Sequence, residues 1–232
     1  YHLDLCINFI KKMNNIDHNL SKNLPKAKES CLSAYDIINQ INKRLDQFNN
    51  TKNFDINNFL ENIFKPNYLR AIEVANTYWP HNNLNTKISK KNLILSPSDF
   101  GFHNSIFVTN KKFIFIDFEY FGWDDPSKLI NDFIWHPAMK MTIKQKFYWL
   151  KETKSLFEYD KTLFSRIKAT WPLYGFRWIM IILKDALKYN EALANNNNIE
   201  IKKIENLLQN KLIKSQRIIK EINKNNFICP YA

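Results

Sequence analysis

Glycine is scarce: the 232-residue chain has three, Gly101, Gly122 and Gly175. A glycine-rich phosphate loop is therefore excluded, and no G-x-x-x-x-G-K-[ST] is present. Glycine this rare is expected where the backbone turns unusually or approaches another group closely. Cysteine is equally sparse. Cys6, Cys31 and Cys229 are far apart, odd in number and without C-x-x-C spacing. That excludes a disulfide framework or a zinc knuckle and points to free thiols in a reducing compartment. Long hydrophobic runs are missing too. Residues 178–183, between Arg177 and Lys184, fall far short of the roughly 20 that a membrane-spanning helix needs. The start Tyr1-His2-Leu3-Asp4 lacks a basic segment followed by an apolar one, so no signal peptide is read and a cytoplasmic location is expected. There is no internal repeat.

What is present suits a packed domain. Hydrophobic residues make up 45% and aromatics 15% of the chain, enough for a substantial core. The net charge is +12. The lysines are spread along helical segments rather than gathered into a stripe, so they read as a solvated face and not as a nucleic-acid surface.

Periodicity predicts helices for most of the chain. Apolar residues recur at helical spacing over 1–14. A longer helix is expected from near Pro25 to Phe48, with Cys31, Tyr35, Ile38, Ile41 and Leu45 on one face. Short helices follow at 55–63 and 66–78, split by Pro66. Residues 93–95 read as a short strand. A hairpin is expected over 105–117, turning at Asn110-Lys111. From Pro126 the pattern is helical: 126–135, 142–157, 160–194 with breaks at Pro172 and Gly175, and 199–224. The asparagine tract 195–198 is a loop between the last two helices.

The most informative stretch runs from Ser96 to Pro126. Asp99 is followed five residues later by Asn104, then by an apolar hairpin, then by Asp117 at its end. Phosphoryl transfer from a nucleotide needs that order. One carboxylate, Asp99, orients the acceptor hydroxyl and receives its proton, while Asn104 and Asp117 hold Mg²⁺ on the phosphates. Asp99-Phe100-Gly101 spells the metal-binding tripeptide of protein kinases, but Asn104 places it in the catalytic loop; Asp117-Phe118-Glu119 is the better metal segment.

This stretch resembles the aminoglycoside phosphotransferase and choline kinase family. Asp99 and Asn104 match H-G-D-x-x-x-x-N, residues 116–119 match I-D-F/W-E/G, and Asp125-Pro126 match G-D-P. Pro97 and Ser98 stand where the family has His and Gly. Leu129 stands where many members have an acid, and Asp132 is the alternative structural acid. The resemblance implies a mainly α fold with a small β-hairpin, the C-terminal lobe of a protein-kinase-like fold. It implies a Mg²⁺-dependent transfer from ATP or GTP to a hydroxyl of a sugar, aminoglycoside-like compound or amino alcohol. It further implies that Asp125 braces the catalytic loop. His103, inside that loop beside Asn104, is read as a bracing residue, with contact to substrate or phosphate as the alternative. The acceptor site is expected around Trp171, Tyr174, Arg177 and Trp178, whose aromatic faces suit a sugar or a quaternary ammonium. Glu119 is a further candidate near the metal.

The whole of 1–232 reads as one lobe: helical over 1–90, catalytic loop, hairpin and metal segment over 91–125, and a helical acceptor-side subdomain over 126–232. The small nucleotide-covering lobe, with its sheet and phosphate-contacting Lys, is not read in the 98 residues before Asp99. The expectation is a C-terminal lobe whose exposed surface receives a missing small lobe or another chain, and which is inactive alone. The alternative is a non-catalytic kinase-like module that binds a saccharide or a protein.

Overall fold

The computed structural model describes residues 2–109 and 112–231. Helices dominate, in the order α1 (His2–Asn14), α2 (His18–Ser21), α3 (Ala34–Asp46), α4 (Phe54–Phe59) and α5 (Lys65–Tyr78) before the strands. After them come α6 (Pro126–Trp135), α7 (Ile143–Leu156), α8 (Leu163–Leu183), α9 (Tyr189–Ala194) and α10 (Asn198–Lys224). Two small antiparallel sheets lie between: β1 (Ile94–Ser96) with β4 (Gly122–Asp124), and β2 (Ser105–Thr109) with β3 (Lys112–Phe115). No described helix is long and apolar enough to cross a membrane.

Helix α8 is the axis of the fold. It is apolar on nearly every side, and a helix of that kind is stable only when surrounded. It packs against α3, α5, α6 and α10. The expected breaks at Pro172 and Gly175 do not occur: α8 runs through both. Neighbouring helices hold the turn that Pro172 weakens. Gly175 is there for space, since a Cβ would lie 2.8 Å from Ile222 Cδ1 on α10 and 3.3 Å from the Trp135 ring on α6. The split at Pro66 is also absent. A π-helical turn (Leu60–Phe64) joins α4 to α5, so the change of helix type falls just before Pro66, which lies in the first turn of α5.

The helix expected from Pro25 begins at Ala34. Ser33 caps it, accepting from Asp36 N, while the Asp36 carboxylate accepts from Ser33 N, a capping box. The segment before it is strand-like. Lys26 bridges Trp123, with Ala27 N donating to Trp123 O at 3.0 Å and Trp123 N to Pro25 O at 3.0 Å. Gly122 makes this contact possible, because a Cβ there would lie 2.5 Å from both Ala27 N and Pro25 O.

The hairpin pairs Ser105 with Phe115, Ile106 with Ile114 and Phe107 with Phe113. Its expected turn at Asn110-Lys111 lies outside the described residues. Helix α6 starts at Pro126 under an Asp125 cap, whose carboxylate accepts from Ser127 N at 2.7 Å.

Candidate functional site

Strand β1 delivers the chain into a tight loop ahead of Asp99. Ser98 has φ of 65°, a left-handed conformation that costs a non-glycine residue roughly 1–2 kcal/mol. Three hydrogen bonds hold it: its N–H donates to Ser96 Oγ at 3.0 Å, its hydroxyl to Lys28 O at 3.3 Å, and Lys128 Nζ to its Oγ at 2.7 Å. The conformation explains why the resembling motif has glycine at this position. Behind the loop, Phe100 stacks with Phe9 at 5.7 Å and meets Phe115 at 4.9 Å. That apolar backing fixes the loop against α1 and the hairpin.

The Asp99 carboxylate is partly exposed, and His103 Nε2 lies 3.0 Å from its Oδ1. His136 Nε2, at the end of α6, lies 3.8 Å from the same oxygen. The two imidazoles stack with centroids 3.9 Å apart. The His103 hydrogen bond is the largest influence holding Asp99 below the usual carboxylate range, and it outweighs desolvation. His136 is pushed down to about 4, first by burial and then by the charge of His103. Asp99 is thus ionised and His136 neutral near pH 7. His103 therefore touches the candidate base itself rather than only bracing the loop.

Asn104 is clamped to the same loop. Its Nδ2 donates to Asp99 O at 3.0 Å, and its backbone O accepts from Ile116 N at 3.0 Å. The second bond sets Asp117 one residue from Asn104's partner. Asp117 is exposed, has φ of 64° at the strand end, and makes no hydrogen bond or ion pair among the described residues. With Asn104 Nδ2 committed, its Oδ1 is the free atom of the amide. An amide oxygen and an unpaired carboxylate are hard donors suited to Mg²⁺, so the residues present fit that ion.

Two imidazoles and a carboxylate also converge at Asp99, with their ligand atoms within 4.8 Å of one another. That mixed set suits softer divalent metals better than Mg²⁺. Glu119 is exposed, and its side chain makes no hydrogen bond or ion pair among the described residues.

Asp99 sits on the wall of a cavity of about 920 Å³ between α3, α6 and α8. Arg177 and Trp178 line it. Trp171 and Tyr174 do not reach it; both are fully buried in the core around α8. Arg177 is a hub of the cavity floor. Its guanidinium donates to Gln40 Oε1 at 2.9 Å, Asp132 Oδ1 at 3.1 Å and Glu29 Oε2 at 2.6 Å. Arg44 takes the other Glu29 oxygen at 2.6 Å. Glu29 itself has φ of 59°, a third left-handed position in this region after Ser98 and Asp117.

Asp125 braces helices rather than the catalytic loop. Buried Arg166 on α8 grips both its oxygens at 2.9 Å and reaches Asp160 at 2.7 Å. The group that reaches the loop is Lys128, buried beside Asp124 at 3.4 Å and Asp132 at 3.2 Å. Sequence reasoning missed His136, Lys128, Glu29 and Arg44. None stands in a motif, and only the packing of α3 and α6 beside the loop brings them together.

No protein-family model matches this chain, and no curated protein matches it in sequence. Among solved structures, an ethanolamine kinase of Plasmodium vivax superposes with a TM-score of 0.53 at 12% identity. The alignment covers 98% of this chain and 61% of the ethanolamine kinase. The fold is choline/ethanolamine kinase-like. At that identity the likeness speaks to the fold alone.

Proposed function

We propose that the protein is a small-molecule phosphotransferase that moves the γ-phosphoryl group of a nucleoside triphosphate to an alcohol. The observation that carries this reading is the position of Asp99. Its ionised carboxylate lies on the wall of a substrate-sized cavity. Its backbone is tied to Asn104, which is tied in turn to the strand leading to Asp117. In this reading Asp99 orients the acceptor hydroxyl and takes its proton, and His103 fixes the rotamer of Asp99. Asn104 Oδ1 and the Asp117 carboxylate would hold Mg²⁺, which when bound neutralises charge on the β- and γ-phosphates. In this reading the chain is the acceptor-side lobe. The exposed side chains Ile106, Ile114, Ile116 and Phe118 support it, as an apolar surface on which a nucleotide-covering lobe would pack. Acceptors in view are sugars, aminoglycoside-like compounds and amino alcohols, the last being what the neighbour's name specifies.

Calorimetric titration of Mg²⁺-ATP into full-length protein tests the division of roles. Asp99→Asn is expected to leave nucleotide affinity nearly intact, whereas Asp117→Asn weakens it. Equal loss in the two variants contradicts the assignment.

A further inference from the structure

The cavity beside Asp99 has a sign. Six cationic side chains line it against three acids. Two of the acids are spent: Glu29 is held by Arg44 and Arg177, and Asp132 by Arg177 and Lys128. The third is Asp99. Three lining cations, Lys28, Lys43 and Lys184, have no carboxylate within ion-pair distance among the described residues. The uncompensated charge along this wall is therefore positive, carried by three exposed ammonium groups.

The aromatic faces that would enclose an ammonium group are also taken. Lys28 Nζ already lies over the Tyr120 ring at 4.4 Å from its centroid. Trp178 meets His136 edge to face at 4.5 Å and donates its indole N–H to Asp132 at 3.0 Å. Phe48 and Phe100 are buried. A cationic acceptor would meet three ammonium groups and no free carboxylate other than the one that must receive its hydroxyl proton.

From this we infer that the acceptor is an anionic alcohol: a small molecule with a hydroxyl for Asp99 and a phosphate or carboxylate group held by Lys28, Lys43 and Lys184. The inference rests on the phosphotransferase reading and narrows it, turning away from amino alcohols and aminoglycosides. The nucleotide is not the anion meant, because Asn104 and Asp117, which would hold its Mg²⁺, do not line the cavity. In the reaction the acceptor oxygen bonds to the γ-phosphorus and the bond from that phosphorus to the β-phosphate oxygen breaks. The hydroxyl proton passes to Asp99, and a nucleoside diphosphate leaves.

The test is calorimetric binding of glucose 6-phosphate, inorganic phosphate, glucose and ethanolamine without nucleotide. Glucose 6-phosphate is expected to bind saturably, while glucose and ethanolamine do not. Lys43→Glu/Lys184→Glu is expected to weaken that binding at least about tenfold, equivalent to about 1.4 kcal/mol. Lys202→Glu/Lys203→Glu, the same charge change on exposed positions of α10, leaves it unaltered. Ethanolamine binding as tightly as glucose 6-phosphate overturns the inference, as does saturable binding by neither anion or equal loss in the two double variants. Because nucleotide is absent, the two readings fail separately. Anion selectivity without Mg²⁺-ATP binding keeps the anion site and removes the kinase. Turnover of a cationic acceptor does the reverse.

Discussion

Replacing Lys128 by methionine removes one ammonium group and keeps an unbranched apolar stem. Lys128 is 1% exposed. Its neighbours are not equally dependent on it. Asp132 keeps Arg177 at 3.1 Å and the Trp178 indole at 3.0 Å. Asp124 is fully buried; its Oδ1 accepts from Cys31 N at 3.2 Å and Asp125 N at 2.9 Å, but its Oδ2 has no hydrogen bond. Lys128, at 3.4 Å, is the cation facing that oxygen. Breaking a buried pair from one side costs about 3–5 kcal/mol, a large part of an ordinary total of roughly 5–15 kcal/mol. Ser98 also loses the bond that helps hold its left-handed turn beside Asp99. Lys128→Met should therefore lose about 3–5 kcal/mol in urea denaturation at pH 7, and adding Asp124→Asn should restore most of it. The pH dependence has a definite sign. Burial already pushes Asp124 up to about 6, and without Lys128 it rises further. An acid whose folded value exceeds its unfolded one binds more protons when folded, so the deficit shrinks as pH falls from neutral towards about 4. A loss below about 1 kcal/mol, no rescue by Asp124→Asn, or a deficit that grows on acidification would show that Lys128 does not offset the buried Asp124 charge.

Two further outcomes are expected. Gly122→Ala forces a methyl to 2.5 Å from backbone atoms of Pro25 and Ala27, so it should cost about 1–3 kcal/mol and slow amide exchange protection at Ala27 should be lost; a neutral effect on thermal unfolding contradicts the close packing. For His136, held down to about 4 by burial and by His103 with Asp99 and Asp132 opposing, the unfolded chain takes up the proton first. Its contribution is present above pH 6.5 and is lost between about 6.5 and 4, on the order of 3 kcal/mol. The difference in stability between wild type and His136→Phe should vary across that window, and parallel profiles contradict it.

Local chemistry made some elements legible. Asp125-Pro126 announces the start of α6, and β1, the hairpin and α10 follow from apolar patterning. The Ser33-x-x-Asp36 capping box was also in the sequence, yet the apolar face around Cys31 drew the expected helix back to Pro25. What overrides that pattern is non-local, the pairing of residues 25–27 with β4 across Gly122. Pro172 reads as a break because propensity cannot register that α3, α5, α6 and α10 surround the helix. In the site, the order of Asp99, Asn104 and Asp117 was visible because it lies within one stretch of chain. His136, Lys128 and Glu29 were not, since their meaning arises only when α3 and α6 pack beside the loop. Trp171 and Tyr174 matched the aromatic composition of an acceptor site, but helix phase turns them into the core.

In the proposed reaction Asp99 works on an acceptor hydroxyl while a nucleotide supplies the phosphoryl group. Phosphorus NMR of full-length protein with Mg²⁺-ATP and a panel of neutral, cationic and anionic alcohols tests it most directly. Acceptor-dependent ADP formation with a new phosphate ester is expected, falling about 10²–10⁴-fold in Asp99→Asn. Turnover unchanged in Asp99→Asn, or no phosphate ester with any alcohol despite Mg²⁺-ATP binding, contradicts it.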